Sequence, residues 1–163
     1  MKNVCIWKTK KGWMGALVGD GGRLQRLVLP RSGRGEVLEA LEGRSRAKIG
    51  RCPELEACFQ RYFEDGSLNL PLEPDISQGT PFQRRVWAEA MKIPRGEVRS
   101  YGWLAARIGT PGGARAVGQA MGSNPLPVIV PCHRVVAADG GLGGFSSGLE
   151  NKKFLLSLEG VRL

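Results

Sequence analysis

Residues 100–121 read SYGWLAARIGTPGGARAVGQAM, the pattern of two short helices joined by a glycine-containing turn. Ser100 is a residue type that caps helix N-termini, and a glycine follows residues 101–108, so we expect a first helix there. Thr110 and the proline after it repeat a cap-and-proline start, which predicts a second helix over residues 112–121. Two such helices form either a helix-turn-helix or an ordinary helical hairpin.

The second of these helices consists mostly of glycine and alanine, with one charged side chain. Glycine costs about 1 kcal/mol in a helix interior, so this composition indicates close approach of the backbone to another helix or to a ligand. A smooth helix with a single arginine suits the narrow minor groove of DNA better than the major groove, which is read by several long polar side chains. If the partner of this helix is DNA and not another helix, the surface that meets it comprises Gly113, Ala114, Arg115, Gly118 and Gln119.

The N-terminal half has a different pattern. Residues 4–7, 13–18 and 23–29 are rich in β-branched and aromatic side chains and are separated by glycine-containing turns, which predicts three antiparallel strands. Short helices are expected over residues 36–41 and 53–64.

The two halves are joined by residues 66–79, which show neither a helix nor a strand period and are predicted to be a linker. Thr80 and Pro81 then have the cap-and-proline signature of a further helix. The sequence therefore predicts an α/β N-terminal domain with a small antiparallel sheet over residues 1–75. A mainly α-helical domain is predicted over residues 79–163.

Composition limits the class of protein. The chain has 163 residues, of which 42% are hydrophobic and 24% charged, so it can bury a core. No run of 18 apolar residues exists to span a bilayer, and charges near the N-terminus come too early for a signal peptide. We therefore expect a cytoplasmic protein with reduced cysteines.

The cysteines do not have the spacing of a metal site. The chain holds four cysteines and one histidine, scattered and without a CxxC pair, so no structural zinc and no cofactor is expected. A disulfide between Cys52 and Cys58 is doubtful. If both lie on one helix, six residues at ~1.5 Å rise separate them by about 9 Å, beyond the reach of a disulfide.

The net charge of +9 is unevenly distributed. Residues 80–163 carry 11 basic and 5 acidic side chains, whereas residues 1–79 carry 13 basic and 10 acidic ones. The excess in the second half indicates either a polyanionic partner there or a generally basic, soluble protein.

The sequence NPLPVIVPCHRV at residues 124–135 contains the most unusual chemistry. It places Cys132 between a proline and His133, the one histidine of the chain. A thiolate is the nucleophilic form of cysteine, and a nearby histidine can accept the thiol proton. In an extended chain, adjacent side chains point to opposite faces, so the pair needs a water relay or a turn.

This motif resembles the active site of the O6-alkylguanine-DNA alkyltransferases, also called methylated-DNA–protein-cysteine methyltransferases. The resemblance spans about residues 79–160 and includes several motifs in the family's order, while the first half matches only in length and layout. The matching segments are Thr80-Pro81-Phe82, Ser100-Tyr101, Ala114-Arg115-Ala116-Val117-Gly118, Asn124-Pro125, Pro131-Cys132-His133-Arg134-Val135, Gly143-Gly144-Phe145-Ser146 and Leu158-Glu159-Gly160.

The resemblance implies roles for four residues in the chemistry. Cys132 resembles the acceptor that takes the alkyl group irreversibly, so that each molecule reacts once. His133 resembles the base that deprotonates it through a water, and Glu159 resembles the carboxylate that orients the histidine and raises its basicity. Asn124 resembles the residue whose side chain holds the turns around the reactive segment.

The resemblance also implies how the substrate is reached. Double-stranded DNA with an alkylated guanine would be bound at its minor groove by a monomer with a winged-helix domain, and the target nucleotide would be flipped out. Arg115 resembles the residue that fills the gap left in the duplex, and Tyr101 resembles the residue that pushes the target phosphate. The pocket positions are Val135, Phe145 and Ser146, and Phe145 departs from the tyrosine that some members have.

Three other functions fit parts of the pattern. A DNA-lesion binder of the alkyltransferase-like kind lacks the cysteine that is present here. A winged-helix regulator with a redox cysteine predicts a recognition helix rich in base-reading side chains, and this helix offers only Arg115 and Gln119. A cysteine hydrolase requires an oxyanion motif, which is not visible in the sequence.

Overall fold

The structure is a computed structural model that describes residues 2–42, 47–145 and 148–162. The chain divides into two compact units, Met1–Asp75 and Ile76–Leu163. Among the described residues, no helix is long and apolar enough to cross a bilayer.

The first unit contains a four-stranded sheet. Strands β1 (Asn3–Thr9), β2 (Gly12–Val18) and β3 (Leu24–Arg31) pair antiparallel, close to the predicted bounds. A fourth strand, β4 (Lys48–Gly50), pairs parallel with β1, so the sheet order is β3-β2-β1-β4. The predicted sheet was purely antiparallel, and this is wrong at one edge because a three-residue strand has no readable period.

Two helices complete the first unit. Helix α1 (Arg34–Glu42) packs on β2 and β3, and a buried cluster forms between helix and sheet. Helix α2 (Pro53–Asp65) begins at the predicted proline and places the Phe59 ring 6.3 Å from that of Trp7 on β1. The buried cluster at α1 consists of Val4, Leu17, Val28, Val37 and Leu41.

A disulfide joins Cys5 and Cys52, whose Cα atoms are 5.9 Å apart. The expectation that all cysteines are reduced is therefore wrong. Cys5 lies in β1 and Cys52 caps α2, and only the folding of the chain brings these distant positions together. The doubt about a Cys52–Cys58 bond is confirmed, since Cys58 is a free thiol.

Part of the predicted linker is held against the first unit. The amide of Leu24 donates to the carbonyl of Glu73 at 2.9 Å, and the amide of Asp75 donates to the carbonyl of Leu24 at 2.8 Å. Residues 73–75 thus pair with Leu24 at the start of β3, although the predicted linker has no strand period.

The second unit is mainly helical. Its elements are α3 (Pro81–Ala90), β5 (Arg99–Ser100), α4 (Tyr101–Arg107), α5 (Ala114–Gly122), β6 (Val135–Val136) and α6 (Leu149–Leu158). Strands β5 and β6 form a two-residue parallel pair. The Thr80 hydroxyl accepts from the Gln83 amide at 3.1 Å and the Gln83 side chain accepts from the Thr80 amide at 2.9 Å, which confirms the predicted start of α3.

Candidate active site

Helices α4 and α5 form the predicted pair of helices. The Ser100 hydroxyl accepts from the Trp103 amide at 3.0 Å and caps α4, as expected. Helix α5 begins at Ala114 with Gly113 as its cap, so the predicted start at residue 112 is wrong. Thr110 resembles a helix cap in sequence, but its carbonyl accepts from the Gly113 amide at 2.9 Å and closes a turn. A Cβ on Gly113 would lie 2.8 Å from the Thr110 methyl carbon, so the turn requires glycine there.

Asn124 organises the segment that leads to the cysteine. Its side-chain oxygen accepts from the Leu126 amide at 2.8 Å, and its side-chain nitrogen donates to the Val130 carbonyl at 2.8 Å. The same nitrogen lies 3.3 Å from the Cys132 sulfur. Within the loop, Val128 has a φ of +77°, a left-handed conformation that a β-branched residue adopts only when its surroundings impose it.

Cys132 lies in a single helical turn rather than in an extended strand. The turn Cys132–Arg134 follows Pro131, so the alternation of adjacent side chains that applies to strands does not apply here. Burial raises the pKa of the Cys132 thiol to about 11, against the opposing effects of the Asn124 hydrogen bond and the Lys152 charge. The resting cysteine is therefore a thiol that needs a base before it can react.

His133 and Glu159 form a buried pair. Nε2 of His133 lies 3.0 Å from Oε2 of Glu159, and both side chains are fully buried. Burial acts to raise the pKa of Glu159, but hydrogen bonds from Arg134 and His133 outweigh it and lower the pKa to about 2. The carboxylate is thus ionised at neutral pH, and a neutral His133 must donate from Nε2 to satisfy it.

The other ring nitrogen of His133 is placed to accept a proton. Nδ1 is buried and has no hydrogen-bond partner among the described residues. Burial lowers the pKa of His133 below its ordinary value, although the Glu159 carboxylate opposes this effect. The Glu159 carboxylate favours the charged ring, as expected, but burial of the ring has the larger effect and sets the direction of the pKa shift.

A cavity of about 630 Å³ opens beside the cysteine. This volume lies within the range of about 300–1,000 Å³ that is typical of small-molecule sites. Its lining brings together seven of the residues predicted from the sequence, on α4, α5, the cysteine turn and the loop before α6. These residues are Tyr101, Ala114, Arg115, Gly118, Gln119, Cys132 and Phe145.

The remaining predicted residues lie elsewhere. Gly113 caps α5 and is not part of the cavity lining, and Val135 is fully buried in β6. Asn124 acts from behind the cysteine, through the hydrogen bonds described above. Ser146 lies outside the described residues.

Lys152 is a component of the site that the sequence reasoning missed. It is fully buried, and its ammonium group donates to the Val135 carbonyl at 2.7 Å and to the Gly144 carbonyl at 3.2 Å. The ammonium also lies 5.8 Å from the ring centre of Tyr101 and 5.9 Å from that of Phe145. Burial lowers the pKa of Lys152 to about 8. A lysine in register with the apolar residues of α6 was the signal that could have revealed it.

Gly144 and Phe145, which precede α6 in the chain, line one side of the cavity. The Tyr101 hydroxyl donates to the Gly144 carbonyl at 3.2 Å, the same carbonyl that Lys152 contacts. Gly143 has a φ of +68°, and a Cβ there would lie 3.0 Å from the Tyr101 ring. A larger residue at position 143 would therefore displace the tyrosine. Among the described residues, no group of three or more potential metal ligands is present.

Comparison with known proteins identifies the family. Residues 81–161 match the family model described as 6-O-methylguanine DNA methyltransferase, DNA binding domain. A curated relative named methylated-DNA–protein-cysteine methyltransferase, from Mycolicibacterium paratuberculosis, is 48% identical over 114 residues, covering 70% of this chain and 66% of the relative. A relative of the same name from Shigella flexneri is 42% identical over 122 residues, covering 75% of this chain and 71% of the relative.

A solved structure matches nearly the whole chain. Mycobacterium tuberculosis OGT in complex with DNA is 36% identical, with a TM-score of 0.79, and the match covers 96% of this chain and 92% of that one. The sequence matches to the first curated relatives are shorter, at 61–66% of their length.

The family model places the second unit in the class of the 6-O-methylguanine DNA methyltransferases. The chain belongs to the methylated-DNA–protein-cysteine methyltransferase family. The resemblance predicted from the sequence is confirmed.

Proposed function

We propose that the protein repairs DNA by moving the alkyl group of an O6-alkylguanine to Cys132. The observation that carries this proposal is the position of Cys132 at the cavity wall, followed directly in the chain by a buried histidine whose Nδ1 has no partner in the described structure. The cavity is lined by α5, the helix whose smooth surface suits DNA. The neighbouring structure of Mycobacterium tuberculosis OGT, which was solved in complex with DNA, supports DNA as the partner.

The proposed reaction is a direct displacement. Nδ1 of His133 accepts the Cys132 thiol proton through a water molecule, while Nε2 remains hydrogen-bonded to Glu159. The thiolate attacks the alkyl carbon, a carbon–sulfur bond forms, and the bond from that carbon to O6 breaks. Guanine leaves with the electron pair and gains one proton. The thioether product has no easy route back to a thiol, so each molecule reacts once.

Access to the reacting atom requires the nucleotide to leave the duplex, because a thiol cannot reach O6 of a stacked base in line. The lining residues suggest a division of labour for this step. The second unit would bind DNA as a winged-helix domain, with Arg115 and the small residues of α5 in the minor groove of the duplex. Tyr101 would act on the target phosphate, and Phe145 would stack on the extruded base. Ser146 and the main chain of Val135 are proposed to meet the guanine edge, and O4-alkylthymine is a further candidate substrate.

Intact mass spectrometry tests the transfer. Mixed with an excess of duplex that contains O6-methylguanine, the protein should gain the mass of one methyl group and then stop. Peptide mapping should place the methyl group on Cys132. The matched variants are Cys132→Ser, which should gain nothing, and Cys58→Ser, which removes the other free thiol and should react normally. Turnover beyond one equivalent, or methylation of another residue, would exclude the proposal.

The proposed role of Arg115 has a separate test. Arg115→Ala should slow reaction with methylated duplex far more than reaction with free O6-benzylguanine, which needs no flipping. Arg84→Ala is the matched control, because Arg84 is an exposed arginine of the same unit that does not line the cavity. Equal losses with the two substrates would show that Arg115 only supports the fold.

A further inference from the structure

Arg134 makes the most extensive set of contacts at the buried carboxylate. Its Nε donates to Oε1 of Glu159 and its Nη2 donates to Oε2, both at 2.8 Å, as a two-pronged fork. Its remaining terminal nitrogen donates to the Ile93 carbonyl at 2.8 Å, just after α3. The guanidinium is thereby fixed from both sides, and its side chain is only 14% exposed.

The fork changes what the carboxylate can do for the histidine. Oε2 of Glu159 accepts from Arg134 and lies within hydrogen-bond distance of His133 at the same time. A carboxylate that faces a histidine alone favours the doubly protonated ring. A carboxylate already compensated by a guanidinium still accepts one N–H, but it gives less support to a second positive charge.

The cationic groups around His133 disfavour its protonated form. Lys152 on α6 disfavours the protonated ring, as does Arg134, and burial of the ring does so most strongly. Glu159 at the end of α6 is the group that opposes them, and Cys132 precedes His133 in the same turn. Of these groups, Arg134 is the one that touches the carboxylate itself.

We propose that Arg134 is a positioning residue that shares Glu159 with His133, so that the histidine stays neutral with its proton on Nε2 and its Nδ1 free to accept the thiol proton. The inference deepens the proposed alkyl transfer and rests on it for its biological meaning. Its physical content, the protonation state and tautomer of His133, does not depend on DNA.

Because the chain has a single histidine, the protonation state and tautomer of His133 can be measured directly. In protein labelled with 15N and 13C, the ring resonances of His133 can be followed by NMR from low to high pH without overlap. The wild-type ring at neutral pH should show a protonated Nε2 and an unprotonated Nδ1. A ring protonated on Nδ1 would overturn the inference without need of any variant.

Variants isolate the charge of Arg134. Arg134→Gln removes the cation and keeps hydrogen-bonding capacity, so the titration midpoint of His133 should rise by about one pH unit. Arg134→Lys keeps the charge, and its midpoint should stay near that of the wild type. Arg95→Gln is the matched control, because Arg95 donates to the Leu158 carbonyl at 3.5 Å, one residue before Glu159, and should leave the midpoint unchanged. The inference would be overturned if the His133 midpoint of Arg134→Gln equalled that of the wild type. It would also be overturned if the midpoint of Arg134→Lys rose as far as that of Arg134→Gln.

Single-turnover kinetics links the inference to the reaction. The acid inflection of the pH–rate profile of Arg134→Gln should move to higher pH by the same interval as its NMR midpoint. The profile of Arg134→Lys should keep the wild-type inflection. If the wild-type protein transfers no methyl group, the proposed function fails, yet the NMR titration still decides the role of Arg134. If transfer occurs and the profiles of wild type and Arg134→Gln superimpose, the role of Arg134 alone is refuted.

Discussion

At the scale of single residues, the site depends on charges that are buried together. Glu159 favours the protonated form of His133, while burial lowers the pKa of that histidine below its usual ~6.5. The alkyl-transfer rate should therefore fall as the pH drops through a midpoint below this value, because the protonated ring cannot accept the thiol proton.

Glu159→Gln removes the charge that favours the imidazolium. The midpoint should move to still lower pH, and the plateau rate should fall, because a less basic ring forms thiolate less readily. The measurement is the single-turnover rate between about pH 4 and about pH 9. Glu150→Gln serves as the control, since Glu150 lies on the same helix with a side chain that is 93% exposed. Superimposable profiles for wild type and Glu159→Gln would show that the carboxylate does not act on the reaction.

Lys152 should lower the energy of the thiolate. Its charge opposes the effect of burial on the Cys132 thiol, so Lys152→Met should raise the pKa of that thiol further. In a Cys58→Ser background, alkylation of Cys132 by iodoacetamide at neutral pH should slow by about tenfold. The neighbouring Lys153 has a 58% exposed side chain, so Lys153→Met should react at the normal rate. Equal slowing by both variants would mean that the effect is not specific to the buried ammonium.

At the scale of secondary-structure elements, proline and capping residues predicted most helix starts correctly, because they act on the chain locally. The starts of α2, α3 and α4 follow from proline or from a capping hydroxyl, and all were confirmed. The start of α5 was misplaced because Thr110 has the same local sequence signature without acting as a cap. Strands β4, β5 and β6 have two or three residues and exist only through pairing with distant chain segments, so no periodicity could reveal them.

The two threonines allow a direct comparison of these signals. Thr80→Ala removes one half of the capping box of α3 and should lower the free energy of unfolding by about 1 kcal/mol. Thr110→Ala should cost much less, because only its backbone carbonyl closes the turn before α5. Urea unfolding followed by circular dichroism gives both values. A cost for Thr110→Ala equal to that for Thr80→Ala would contradict this difference in role.

The same distinction applies to the site. A motif could identify Cys132, His133 and Asn124, since these residues are close in sequence and their chemistry is recognisable. The contacts of Arg134 and Lys152 could not be predicted, because they join the cysteine turn to α6 and to the end of α3 across the fold. The register of Lys152 with the apolar residues of α6 could indicate that it is buried, but not which distant groups it contacts.

At the scale of the whole molecule, net charge overstates the surface that can meet a polyanion. Of the 11 basic side chains in residues 80–163, Lys152 is fully buried and Arg134 nearly so, and both are engaged at the site. Among the described residues, Arg115 is the arginine that lines the cavity. Local placement of a few cations therefore says more about the DNA surface than the total of +9.

The Cys5–Cys52 disulfide concerns the stability of the first unit. It joins β1 to the start of α2 across a sequence separation of 47. Such a bond stabilises a fold by about 2–4 kcal/mol, mainly by restricting the unfolded chain. In denaturant, unreduced protein should show two thiols, those of Cys58 and Cys132, and reduced protein all four. Reductant should lower the free energy of unfolding by this amount.

The double variant Cys5→Ser/Cys52→Ser should match the stability of the reduced protein and lose its response to reductant. Cys58→Ser should keep that response, because Cys58 is not in the bond. The single-turnover rate of alkyl transfer should be the same in the double variant, in Cys58→Ser and in the reduced protein, because the acceptor cysteine and its partners belong to the second unit. Four thiols in unreduced protein would show that the Cys5–Cys52 bond does not form in solution. A fall in transfer rate on loss of the bond would show instead that the first unit influences the chemistry.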